Sequence, residues 1–158
     1  EKPQNMQGHS LKPVIELDQP VREVAIYGIF GGHVNITDGR YVYMRAPNEQ
    51  NEPLFNYTHM PTHMNDLFSV EEMKKMEWHP GFNFTKGCPV MKIPSLGGKG
   101  VRAFVDLNTK LFDLNEDPGQ KNPIINESIE NLLIEKMILL MEATDAPEEQ
   151  FKRLELTQ

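Results

Sequence analysis

Cysteine is nearly missing from this chain: Cys88 is the single one in 158 residues. That excludes an internal disulfide and any Cys-rich zinc site, and it permits a reducing compartment such as the cytoplasm. Positive charge is short as well. Sixteen Lys and Arg stand against 23 Asp and Glu, a net charge of −7, which argues against a nucleic-acid or anionic-membrane surface. No apolar run approaches the roughly 20 residues of a membrane span, and the residues from Glu1 onward do not read as a signal peptide. Internal repeats and low-complexity tracts are lacking too. The polar start, Glu1 to Asn5 without Met, reads as a cut inside a longer protein.

What is present fits a globular domain. The apolar fraction is 39% and the charged fraction 25%, ordinary values for a folded domain. This length makes one domain with a sizeable core. Four sequons, at Asn35, Asn56, Asn83 and Asn126, read as chance matches, since nothing else points to secretion.

Residues 1–20 carry Pro3, Pro13 and Pro20 and predict an extended entry segment. Val24 to Ile29 is an apolar run fitting a buried strand. Gly31-Gly32 breaks it, and His33 to Thr37 alternates. Asp38-Gly39 predicts a two-residue type I′ hairpin with positive φ at both positions, and Arg40 to Met44 returns. Residues 24–44 therefore predict a three-stranded antiparallel meander. Ser69 and Glu72 form a capping box opening a helix from Val70 to about Trp78. Residues 79–100, rich in Gly and Pro, predict a long loop. Arg102 to Leu107 and Lys110 to Leu114 read as strands joined at Asn108-Thr109. Asp117-Pro118-Gly119 stops the second, because proline cannot donate to a ladder and glycine tolerates positive φ.

Asn126 is an N-cap in position for a long helix. Ile129, Leu132, Leu133, Met137, Leu140 and Met141 recur at helical spacing, and Ile134, Ile138 and Leu139 widen the stripe beyond half the circumference. One sheet covers one face of such a helix, so the remainder predicts contact with another domain or another copy. Asp145 with Glu148 reads as a second capping box, before Phe151 and Leu154. The fold class expected is α+β: an antiparallel four- to five-stranded sheet packed against a long C-terminal helix.

Candidate chemistry is sparse. His59 and His63 have the spacing of two zinc ligands on a helix. Pro61 between them removes a helical donor, and the glutamate of HExxH is missing, so they read as loop residues. Cys88 would need a histidine base and an electropositive pocket to act as a nucleophile. His79 is near in sequence, but a small buried thiol is the plainer reading. Gly28-Ile-Phe-Gly31-Gly32 lacks the GK[ST] ending of a phosphate loop, and a strand follows it. Its glycines instead suit a sharp turn or a close backbone approach to a ligand. His33 and Asn35 follow at alternate positions on one strand face, and Arg40 and Arg45 add cationic donors for an anionic substrate. An exposed polar sheet face is the plainer reading of the same four residues.

Three stretches carry a family likeness. Pro3-Gln-Asn-Met-Gln-Gly-His-Ser-Leu11 with Pro13, Gly31-Gly-His-Val-Asn-Ile-Thr-Asp-Gly-Arg-Tyr41 and Leu111-Phe-Asp-Leu-Asn-Glu-Asp-Pro-Gly-Gln120 resemble, in order, passages of the formylglycine-dependent sulfatases of the alkaline phosphatase superfamily. The first resembles the close of that family's large N-terminal domain, the other two its smaller C-terminal domain. The resemblance implies that residues 1–20 enter from a missing N-terminal catalytic domain. It makes residues 21–158 the C-terminal subdomain, with 47–100 a loop-rich insertion. It implies a parent sulfuric ester hydrolase needing calcium, held by Asp and Asn, and formylglycine, with Lys and His around the sulfate.

None of those motifs lies on this chain. Cys88-Pro-Val-Met-Lys92 departs from Cys-x-Pro-x-Arg, so no catalytic residue, metal ligand or cofactor is assigned here. The substrate is then a sulfate ester met through the parent, with His33, Asn35, Arg40 and Arg45 near the pocket wall. Phosphonate monoester hydrolases share the architecture. The isolated chain would be inert and expose an apolar surface open to self-association. The alternative is an independent module whose 47–100 loops bind a small molecule or saccharide.

Overall fold

A computed structural model describes residues 8–63, 66–95 and 108–156. The fold is α+β, with two antiparallel sheets and a long C-terminal helix. The entry segment is helical at α1 (Lys12–Leu17), not extended; Pro13 occupies its first turn, where a missing N–H costs nothing. Next come β1 (Ala25–Gly28), β2 (Val34–Thr37) and β3 (Tyr41–Arg45), the expected meander. The hairpin between β2 and β3 is wider than the predicted two-residue turn. Thr37 pairs with Val42, and of Asp38 and Gly39 only Gly39 has positive φ. Asp38 instead turns the chain with its side chain: Oδ1 accepts the amides of Arg40 at 2.9 Å and Tyr41 at 2.7 Å, as Asp does in turns.

Residues 47–95 hold more order than predicted. β4 (Phe55–Thr58) is followed by α2 (Val70–Met73), β5 (Glu77–His79) and β6 (Val90–Pro94). The Ser69–Glu72 capping box forms as expected. The helix stops at Met73 rather than near Trp78, because 77–79 pair with β6 in a three-stranded sheet of order β4-β6-β5. Pairing with a distant strand overrides local helical preference. Phe68, Met91 and Ile93 form the small core of this unit, with Met73 and Met76 against it.

β7 (Lys110–Asp113) completes the first sheet, order β1-β2-β3-β7; the strand expected at Arg102 to Leu107 lies outside the described residues. In the turn after β7, positive φ falls on Gln120 rather than Gly119, while Asp117 Oδ2 accepts the amides of Lys121 and Asn122, both at 2.6 Å. α3 (Glu127–Ala143) starts at the expected cap, with Asn126 Oδ1 accepting the Ile129 amide at 3.2 Å. α4 (Glu148–Arg153) does not start from the predicted Asp145–Glu148 box; Pro147 is its N-cap residue. The Asp145 carboxylate is spent elsewhere, on the Asn83 backbone and side-chain amides at 2.6 and 3.0 Å.

Sheet register sorts the side chains into two faces. Ile26, Ile36, Tyr43 and Leu111 stand side by side across the four strands, on the face that meets α3. There Leu133, Met137 and Met141 join Leu154 and Leu156 in one core. Burying each large side chain stabilises by roughly 1.5–3 kcal/mol. The buried stripe of α3 is narrower than the apolar pattern: Leu132 and Leu139 remain exposed. The opposite sheet face carries Tyr27, Asn35 and Met44 in register.

Candidate functional site

On that opposite face, Tyr27, Asn35 and Met44 floor a cavity of about 380 Å³, closed by Gly28, Ile29, Gly32 and His33. Its wall exists because β1 ends very close to the start of β2. A Cβ on Gly28 would stand 2.5 Å from the His33 carbonyl oxygen, so only glycine fits. The close approach is to backbone, not to a ligand. Gly31, at φ 73°, turns the chain between the strands, as glycine does at low cost.

His33 is half-buried, and its Nε2 donates to the Asn108 carbonyl at 2.9 Å. Asn35 is 8% exposed, and its buried Oδ1 has no hydrogen-bond partner among the described residues. An orphaned carbonyl of this kind costs roughly 1–3 kcal/mol. The rest of the cavity lining is mostly apolar, so it suits a small ligand with an apolar body.

The two arginines lie away from this cavity. Arg40 clasps Asp113 across the sheet, with Nε 3.3 and 3.2 Å from the two carboxylate oxygens and Nη2 2.8 Å from Oδ2. That hydrogen bonding holds Asp113 below the usual carboxylate range and raises Arg40. Arg45 is on the helix-side face and binds the chain end: Nε to the Leu154 carbonyl at 2.7 Å, Nη2 to that of Glu155 at 3.1 Å. His33 and Asn35 thus line one cavity, and Arg40 and Arg45 serve as ties. Tyr27 and Met44, the other floor residues, are not among the candidates that the sequence offers, and Val24 to Ile29 does not form the buried strand expected. β1 is in fact a sheet edge, with Tyr27 and Ile29 exposed. The register opposite Asn35 was the signal that could have found them.

Cys88 is exposed, contrary to the buried thiol expected, because it sits in the loop between the 83–85 turn and β6. His79 does not serve it; its Nδ1 accepts the Gly81 amide at 3.2 Å and its ring stacks on Phe82. His63 pairs with Glu72 at 2.9 Å, and His59 is exposed. Bonds from the Ser69 backbone and hydroxyl, then from His63, hold Glu72 low. Among the described residues no group of three or more His, Cys, Asp and Glu could hold a metal ion. Among them also, no helix is long and apolar enough to cross a membrane.

A second concavity, about 650 Å³, lies between the 79–87 loop and the α3–α4 junction. Its polar groups are largely occupied with each other, as Asp145 is with Asn83. Beside it Tyr57 donates to Glu149, which also faces Lys92 at 3.6 Å. Burial first, then the Glu149 bond, raises the Tyr57 phenol. These contacts join the small sheet to α4.

No family model matches the chain, and no curated protein matches it. The fold is an α+β domain with a mostly apolar cavity on the sheet face opposite α3.

Proposed function

We propose that the chain is the C-terminal subdomain of a sulfatase, a sulfuric ester hydrolase. It packs against a catalytic domain that carries the formylglycine and calcium, and lends His33 and Asn35 to the wall of the substrate pocket. One observation carries the proposal: Asn35, whose buried Oδ1 has no hydrogen-bond partner among the described residues, lines one cavity with His33, inside the 31–41 stretch that resembles the family. Further support comes from the four-stranded antiparallel sheet and long helix, which the likeness calls for. Exposed Leu11, Ile15, Ile29 and Phe30 offer apolar surface for a partner domain. On this reading the chain recognises substrate and does not cleave it.

An immunoblot of the source cells with antibody against this chain tests the proposal. A band several times heavier than 18.1 kDa, whose purified species hydrolyses p-nitrophenyl sulfate, is the expected result. A band at 18.1 kDa would overturn it. The second reading, an independent small-molecule or saccharide module, would then lead, with the same cavity as its site.

A further inference from the structure

Arg153, the last residue of α4, is 2% exposed. Its Nε donates to Gln150 Oε1 at 3.0 Å, and its Nη1 to the Gly32 carbonyl at 3.2 Å and Asn51 Oδ1 at 2.9 Å. Every one of these acceptors is neutral. Nη2 makes no hydrogen bond among the described residues, and none of the ion pairs among them includes Arg153. The acids of its own helix are engaged: Glu148 with Lys152 at 2.7 Å, and Glu149 with Tyr57 and Lys92. A buried cation without a counter-charge is costly, and proteins rarely tolerate one unless something negative completes it. In a chain of net charge −7, acids were not in short supply.

Arg153 also lines a cavity of about 350 Å³, between the end of β1 and the start of β4. Its other walls are mostly apolar: Ile26, Ile29, Phe30, Val34, Leu54 and Phe55. We propose that this cavity binds a small carboxylate with an apolar body, its anionic end against Arg153 and its hydrocarbon or aromatic part among those side chains. Burial pushes the guanidinium down to about 10, so it stays charged at neutral pH without an anionic partner among the described residues. A carboxylate supplies one negative charge. A phosphate monoester brings about two, leaving a surplus in an apolar cavity. The site adjoins the His33–Asn35 cavity along β1 but does not depend on the sulfatase reading, and it would stand equally in an independent module.

The test is a titration of the full chain with benzoate, followed by amide NMR, with benzyl alcohol and inorganic sulfate as comparison probes. Saturable benzoate binding is expected, with shifts at the amides of Phe30, Gly32 and Arg153 and at least about tenfold preference over both other probes. Arg153→Gln should erase the preference and Arg153→Lys retain part of it. Should Arg153→Gln fail to fold, Phe30→Ala decides: it trims a half-exposed wall residue and should weaken benzoate several-fold while the spectrum stays native. Benzoate binding no tighter than benzyl alcohol or sulfate, or no saturation by about 10 mM, would overturn the proposal.

Discussion

Arg40 and Asp113 lie 73 residues apart and meet in a two-pronged ion pair, Nη2 to Oδ2 at 2.8 Å, that ties the β2–β3 hairpin to the end of β7. Asp113 is 7% exposed, so the pair keeps a nearly buried carboxylate ionised. Its folded pKa is depressed. The stabilisation is therefore present above the ordinary Asp value of about 3.9 and is lost as pH falls toward the lower folded value. Arg40→Gln should lower the urea midpoint at neutral pH and flatten its decline on acidification. Parallel pH curves for the two proteins would show that the pair is not responsible.

Met137 and Leu139 are close in sequence on α3 and differ in role. Met137 is fully buried, whereas Leu139 is 64% exposed. Met137→Ala should cost about 2–5 kcal/mol, as core truncations do. Leu139→Ala should stay within about 0.5 kcal/mol in the isolated chain. Chemical denaturation of both variants checks this, and comparable losses would mean that Leu139 is covered by a second copy.

The Ser69 hydroxyl and the Glu72 carboxylate cap α2 reciprocally. Ser69→Ala should cost about 1 kcal/mol, felt as faster amide exchange around α2 and β5 with the long helix unaffected. Uniform acceleration across the chain would show instead that the small sheet unfolds only with the whole.

Asn35 trades stability for a binding function on the reading proposed here. Removing its unpaired carbonyl, as in Asn35→Val, should raise stability by about 1 kcal/mol. The same change in a full-length parent should raise KM or lower kcat on a sulfate ester. Loss of stability would mean that the amide is satisfied in solution.

His33→Ala is expected to act likewise on the parent's kinetics. Unchanged KM and kcat on the physiological substrate would remove His33 from the pocket wall.

Local patterns sufficed for the meander from Val24 to Met44, for β7 and for the Asn126-capped helix. Alternation, turn residues and caps act over a few residues, so they are legible without the fold. His33 and Asn35 were legible as a pair for the same reason, since alternate residues of one strand share a face. Their cavity was not, because Tyr27 and Met44 join it only through strand register. The small sheet escaped because β5 and β6 acquire their form by pairing across a Gly- and Pro-rich loop that has no periodicity of its own. Asp145 looked like a cap until Asn83, 62 residues away, claimed it. Nothing in the local sequence singles out Arg153; the packing of α4 against Gly32 and Asn51 buries it. Sequence by itself determined which segments prefer strand or helix, because those preferences are local free energies. Tertiary structure decided which polar groups lose water and which find partners, because both depend on residues far along the chain.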